Sequence, residues 1–183
     1  MKQHKTQREH QVNTPLGTLS FCADVEQGEL GSSTISSQNI KPSLPGGMSV
    51  ENCVAVIFKC KSLTKLYKVN FSCAWVDFNE NGYGASGEGL EAWEWEASNK
   101  LVLIGTEDND WASQRIKLKE VSPESYSVSM SNNRISIEID SFPTNQQLTL
   151  HYVVSWNSAP EEVDCSCWYA VDIPHEKLLS ECK

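Results

Sequence analysis

Apolar and polar residues alternate along most of this chain, and this period of two constrains its fold more than any other feature. Successive side chains of a β-strand point to opposite faces, so an alternating segment predicts a strand with one buried face and one solvated face. The clearest cases are residues 19–25, 126–130, 135–139 and 148–156. Residues 175–182, after a proline, instead predict one or two helical turns.

Turn signals rich in Gly, Asn, Ser and Asp separate these segments at the spacing typical of all-β proteins. We therefore predict an antiparallel β-sandwich or distorted β-barrel of roughly ten strands, with a short C-terminal helical turn. Residues 1–13 are expected to be a disordered polar tail, and residues 14–183 to form a single all-β domain. Residues 28–47 predict a long loop, and residues 165–173 predict the last strand.

The apolar faces of these segments predict which side chains form the core. Each of the residues concerned alternates with polar neighbours or lies in a segment that is apolar on both faces. The residues expected to be buried are Val54, Val56, Phe71, Trp75, Ile135, Ile137, Leu150, Tyr152 and Val154.

Charge and cysteine content limit the possible partners and location of the chain. Its 183 residues carry a net charge of -9, which disfavours binding to nucleic acid or to an anionic membrane and favours a basic protein. Seven cysteines, an odd number, and no apolar run behind the basic N-terminal residues predict reduced thiols and a cytoplasmic location. The oligomeric state stays open.

The sequence from Asp77 to Glu88 fits the spacing D-x-[DN]-x-[DN]-G-x5-E of a calcium-binding loop. It resembles the EF-hand loop over these twelve positions. The ligands that the resemblance implies are Asp77, Asn79, Asn81, Tyr83 through its carbonyl oxygen, and Glu88. The alternative is a connection between two strands, in which the Gly and Asn residues serve the turn. No cofactor is expected apart from this calcium ion.

Two tryptophans two positions apart, Trp93 and Trp95, share a strand face with Glu91. Exposed, they would form a platform for stacking a sugar; buried, they would be core residues. An acidic turn with a further tryptophan follows them in the chain. The candidate carbohydrate or partner surface comprises Glu91, Trp93, Trp95, Asp108, Asp110 and Trp111.

Cys165 and Cys167 would place two thiols on one face of the predicted last strand. A zinc site there needs two more ligands, for which His151 and His175 are candidates, although the spacing is not that of a zinc knuckle. The common catalytic motifs of hydrolases, phosphate-binding loops and metalloproteases are absent from the sequence.

These features favour a non-enzymatic binding protein. We expect a protein-interaction or inhibitor domain, in the manner of an immunity protein, whose acidic surface binds a basic protein partner. Two alternatives remain open. One is a calcium-assisted carbohydrate-binding module, and the other is a β-barrel enzyme or small-ligand carrier with an interior cavity.

Overall fold

The computed structural model describes residues 8–116, 126–131, 133–158, 160 and 165–182. The strands in these residues are β1 (Arg8–Thr14), β2 (Gly17–Gln27), β3 (Leu30–Asn39), β4 (Asn52–Ser62), β5 (Leu66–Trp75), β6 (Tyr83–Gly87), β7 (Leu90–Ala97), β8 (Lys100–Glu107), β9 (Tyr126–Ser131), β10 (Arg134–Phe142) and β11 (Gln147–Ser158). The helices are α1 (Asn109–Arg115), α2 (Ser166–Val171) and α3 (His175–Glu181), and a short 3-10 helix spans Pro45–Gly47.

The strands form two antiparallel sheets that pack face to face, so the predicted all-β fold is confirmed and the sandwich is the observed form. Sheet one has the strand order β1-β2-β5-β10-β9, and sheet two has the order β3-β4-β11-β8-β7-β6. The predicted C-terminal helical turn is also confirmed, since α3 occupies most of the residues predicted to be helical.

The main core lies between the sheets, where the alternating segments direct their apolar side chains. All nine residues predicted to be buried are at most 6% exposed. Phe58 meets Phe71 and Tyr152 edge-on, with ring centroids 5.4 and 5.8 Å apart. The hydroxyl of Tyr152, in sheet two, donates a 2.8 Å hydrogen bond to the carbonyl oxygen of Phe71 in sheet one. Aromatic packing and a hydrogen bond therefore join the two sheets.

A second apolar cluster covers the outer face of sheet two. Strands β4, β8 and β11 are buried on both faces, so this face also needs a cover. Helix α2 supplies it, because Cys167, Ala170 and Val171 lie at helical spacing and pack in this cluster. The predicted strand at residues 165–173 is therefore wrong. Its alternation would have buried Tyr169, which is 50% exposed.

Two edge strands differ from the sequence prediction because edge strands need few apolar side chains. The predicted loop at residues 28–47 contains β3, in which Ser33 is the buried residue. Residues 8–13 of the predicted tail belong to β1, where Val12 is buried, and residues 1–7 lie outside the described residues. Backbone hydrogen bonds to a neighbouring strand hold both strands in place. The alternation of apolar residues does not predict such pairing.

Candidate functional site

Trp93 and Trp95 lie in the core and do not form the exposed platform that was the other interpretation of their spacing. Trp95 stacks on Trp93 with ring centroids 5.9 Å apart and meets Trp75 edge-on at 5.4 Å. Trp93 is 8% exposed and Trp95 is 1% exposed. A β-carbon added at Gly82 would overlap the Trp93 indole, so this glycine permits close packing. The two tryptophans offer no free face for stacking a sugar.

The other residues of the candidate surface surround the start of α1. Oδ1 of Asp108 accepts a 2.8 Å hydrogen bond from the Trp111 backbone N–H, and Oδ2 accepts one of 2.9 Å from the Gly89 N–H. Asp108 therefore caps α1 and joins it to the turn between β6 and β7. Asp110 and Trp111 are exposed. Glu91 is half-buried, and burial, followed by the charge of Asp108, raises the pKa of its carboxyl group.

The residues of the predicted calcium loop are spread along an extended segment. Oδ1 of Asp77 accepts a 2.7 Å hydrogen bond from the Thr18 backbone N–H, and the following Asn79 and Asn81 are exposed. Tyr83 begins β6, whereas Glu88 lies beyond its other end. A strand advances about 3.3 Å per residue, so β6 alone separates its two ends by roughly 13 Å. The extended strand thus separates Glu88 from Tyr83, the nearest of the other predicted ligands in the sequence.

The negative charge of the chain is concentrated around the β6–β7 hairpin. Residues 77–110 contain nine Asp and Glu residues and one Lys, a net charge of -8 out of the -9 of the whole chain. Glu80 and Glu88 are exposed on either side of β6 in the sequence. We call residues 77–97 the acidic hairpin.

Within the acidic hairpin, β6 is the outer strand of sheet two and is exposed at every residue. It pairs with β7 on one side, and no described residue pairs with its other side. Its sequence, YGASG, contains none of the charges or prolines that commonly block further pairing at a sheet edge. Tyr83 is 76% exposed. Within the described part of the chain, strand β6 therefore presents an open edge.

A largely buried polar cluster lies where four elements meet. Glu107 ends β8, His151 lies in β11, Arg115 ends α1 and His175 begins α3. Nε of Arg115 donates to both carboxylate oxygens of Glu107 at 3.0 Å. Its Nη1 donates to the carbonyl oxygen of Thr149 at 3.1 Å. This ion pair ties α1 to sheet two.

The two histidines of the cluster contact each other through their Nδ1 atoms, which are 2.7 Å apart. One ring must donate and the other accept, so at least one ring is neutral. Burial, followed by the charges of His175 and Arg115, lowers the pKa of His151 well below its ordinary value. Burial, followed by the charge of Arg115, lowers the pKa of His175 to about 4. Both rings are therefore uncharged at neutral pH.

Two further features border the cluster. The buried hydroxyl of Tyr126 has no hydrogen-bond partner among the described residues. Burial, followed by the charge of Glu107, raises the pKa of this hydroxyl. A cavity of about 50 Å³ is lined by Glu107, His151 and Trp111, among others. It is large enough to hold water.

The sequence identified two members of this cluster but paired them with the wrong partners. Among the described residues, the group close enough to share an ion is Glu107, His151 and His175. Cys167 instead packs in the second apolar cluster, and Cys165 is exposed. None of the seven cysteines, all of which lie among the described residues, forms a disulfide. A carboxylate that ends a buried apolar strand, as Glu107 does in residues 101–107, was the signal available in the sequence.

Comparisons with known proteins give no indication of function. Searches of protein families, of curated proteins and of solved structures each find no match to this chain. In the part of the chain that the structure describes, no helix has the length and apolar composition needed to cross a membrane. Function therefore has to be inferred from the geometry of the molecule itself.

Proposed function

We propose that this protein is a non-enzymatic interaction domain that binds a basic, extended segment of a partner protein along β6. The main supporting observation is an open, uncharged edge strand within the most acidic part of the chain. Addition of a strand to a sheet edge is a recurrent mode of peptide recognition, in which main-chain hydrogen bonds supply affinity. The surrounding carboxylates would favour lysine and arginine in the bound segment.

The other three edge strands, β1, β3 and β9, are less open than β6. His10 of β1 contacts Ser37 of β3 through their side chains at 2.7 Å, so these two edge strands lie against each other. In β9, the backbone N–H of Val128 already donates a 2.9 Å hydrogen bond to Oδ1 of Asn109 in α1. These contacts leave β6 as the favoured edge for an added strand.

The register of the hairpin identifies the groups that would bind the partner. Gly87 pairs with Leu90 across a two-residue turn, and in such a turn the closing pair exchanges hydrogen bonds. Hydrogen-bonded pairs alternate along antiparallel strands, so the backbone groups of Ala85 also face β7. The N–H and C=O groups of Gly84 and Ser86 therefore face the open edge.

The exposed charges would speed the encounter with a basic partner. Glu80 and Glu88 flank β6 in the sequence, and Tyr83 adds an exposed aromatic ring at the start of the strand. Attraction between exposed charges acts over about 8 Å at physiological ionic strength and weakens as salt is added. The association rate should therefore fall with salt, while the main-chain hydrogen bonds determine dissociation.

The alternative functions receive less support from the geometry. Aromatic rings occupy the space between the sheets, with the Phe21 and Tyr152 centroids 5.8 Å apart, which leaves little room for a carried ligand. A recess of about 400 Å³ lies between residues 39–44 and 48–53. It lies outside the sandwich, so it is not the interior cavity that a carrier of this kind would need. A sugar site would lack its platform, because Trp93 and Trp95 are buried.

An NMR titration with a blocked hexapeptide of alternating Lys and Val tests this function. We expect the amide resonances of Gly84 and Ser86 to shift, because their N–H groups face the peptide. A matching Glu–Val peptide should not bind. Raising the salt concentration should weaken binding, because the Debye length falls from about 10 Å at 0.1 M to about 3 Å at 1 M.

Two variants at Ser86 separate strand addition from general attraction. Ser86→Pro removes the outward N–H and leaves the β6–β7 hydrogen bonds in place, so we expect binding to weaken about three- to tenfold. Ser86→Ala keeps the N–H group and should bind as well as the parent. Equal binding by the two variants, or binding of the Glu–Val peptide as tight as that of the Lys–Val peptide, would contradict the proposal.

A further inference from the structure

Glu107, His151 and His175 bring three metal-ligating groups to one buried point. Their ligating atoms all lie within 4.8 Å of one another, and all three side chains are buried. They come from β8, β11 and α3, so the tertiary structure assembles them. Two imidazoles with one carboxylate suit a transition metal, whereas calcium and magnesium prefer oxygen ligands.

We propose that these three residues bind a divalent transition-metal ion, with zinc as the best match. Zinc accepts mixed nitrogen and oxygen ligands, and a site with three protein ligands keeps a fourth position for water. The cavity beside Glu107 and His151 provides room for that water. The site is independent of peptide binding at β6, since none of its ligands lies in that strand.

The groups around Glu107 suit a cation. Metal-bound carboxylates are usually hydrogen-bonded in turn, and Arg115 orients Glu107 through two 3.0 Å contacts. Three carboxylates, those of Glu91, Glu107 and Asp108, and one guanidinium, that of Arg115, lie close enough to influence Tyr126. Negative groups therefore exceed positive ones in this region, and a divalent ion would offset the excess.

The hydroxyl of Tyr126 indicates that this region can accept an additional polar ligand. It is buried and has no hydrogen-bond partner among them. Burying a hydroxyl without a hydrogen bond costs free energy, so an added polar ligand in this region would be favourable. Among the charged groups, Glu107 has the largest effect on this hydroxyl.

Binding requires a small movement of the two rings. Their Nδ1 atoms are 2.7 Å apart, whereas two nitrogens on tetrahedral zinc, each about 2.05 Å from the ion, lie about 3.3 Å apart. His151 is held in a central strand, and His175 begins a short helix near the end of the chain. We therefore expect the ring of His175, and not that of His151, to move when the ion binds. The ring that donates through Nδ1 must also move that proton to Nε2, which frees the lone pair.

Titration of EDTA-treated, dialysed protein with cobalt chloride, followed by zinc chloride, tests the site. Cobalt should bind at one equivalent and give visible bands typical of tetrahedral nitrogen and oxygen ligands, and zinc should displace it. NMR of the histidine ring nitrogens should show His151 and His175 shifting with zinc while His10 does not. No binding, or a thiolate-to-cobalt charge-transfer band that assigns the ion to cysteines, would overturn the proposal.

Matched variants add a second test. His175→Ala should lower zinc affinity by at least about tenfold, because it removes a ligand. His10→Ala changes a histidine outside the cluster and should bind zinc as the parent does. Equal losses in the two variants would overturn the proposal. Should His175→Ala not fold, the ring-nitrogen shifts of the parent protein decide the outcome without a variant.

Discussion

Several carboxylates in the acidic stretch are already bonded within the molecule. Glu107 pairs with Arg115, Glu94 accepts a 2.7 Å hydrogen bond from the Trp168 indole, and Asp108 accepts two backbone N–H groups. Arg115 neutralises the charge of Glu107, whereas Glu94 and Asp108 keep their charge but have fewer oxygen lone pairs left for a partner. At the residue scale, the bonds of each side chain decide whether its charge serves the fold or the surface.

Asp108 and Asp110 allow this distinction to be measured. Asp108→Ala removes the cap of α1 and its link to Gly89, so the free energy of unfolding should fall by about 0.5–2 kcal/mol. Asp110→Ala removes an exposed charge in the first helical turn and should cost less, about 0.3–1 kcal/mol. Urea unfolding of both variants provides the measurement. If the two losses are equal, the capping role is wrong.

At the scale of elements, the hairpin shows how one segment can fit two patterns. The spacing of Asp77, Asn79 and Asn81 fits a calcium loop, yet Tyr83–Gly87 are extended as β6. Pairing with β7 satisfies the backbone groups on one side of β6 and holds the strand extended, whereas a calcium loop would fold these residues around the ion. The positive φ values of Glu88 and Gly89 then close a two-residue hairpin turn.

This geometry predicts that calcium does not stabilise the protein. A ligand that binds the folded state raises the melting temperature, but the extended β6 separates Glu88 from Tyr83, so these residues do not close around one ion. We expect the same melting temperature in EDTA and in about 10 mM calcium, the concentration that saturates weak extracellular sites. A rise of several degrees, lost in Glu88→Gln, would show that the loop binds calcium after all.

At the scale of the whole molecule, the buried cluster connects parts that are distant in the chain. Glu107 and Arg115 join β8 to α1, and the contact between His151 and His175 joins β11 to α3. The two imidazoles are buried, so protonating them costs more free energy in the folded state than in the unfolded chain. The stability of the sandwich should therefore depend on the charge of these histidines.

The sign of this dependence follows from their lowered pKa values in the metal-free protein. The unfolded chain takes up protons near pH 6.5, whereas folded His175 does so only near pH 4. Its contribution to stability is complete above about pH 6.5 and is lost as the pH falls toward 4. The neighbouring charges are those of Glu107 and Arg115.

Urea unfolding in EDTA across this pH range measures the effect. We expect the free energy of unfolding to fall with pH less steeply in His175→Gln than in the parent, because the variant lacks one titrating ring. His10→Gln should keep the parent's slope. An unchanged slope in His175→Gln would show that the ring does not control acid stability.

The alternation of apolar residues was enough to predict the strands that have one face in the main core. It identified β2, β9, β10 and β11, together with buried residues such as Ile137 and Tyr152. This succeeded because the side-chain period is a local property that survives in any sandwich. The excess of negative charge is likewise a property of composition alone.

Only the tertiary structure decided the features that depend on contacts between distant segments. The polar edge strands β1 and β3 form through backbone pairing, and α2 forms where an exposed sheet face needs a cover. Glu107 joins His151 and His175 because β8 and β11 are neighbours and α3 begins beside them. The spacing of residues along a chain cannot predict this contact. The three side chains come together because separate elements pack against one another, and not because of local geometry.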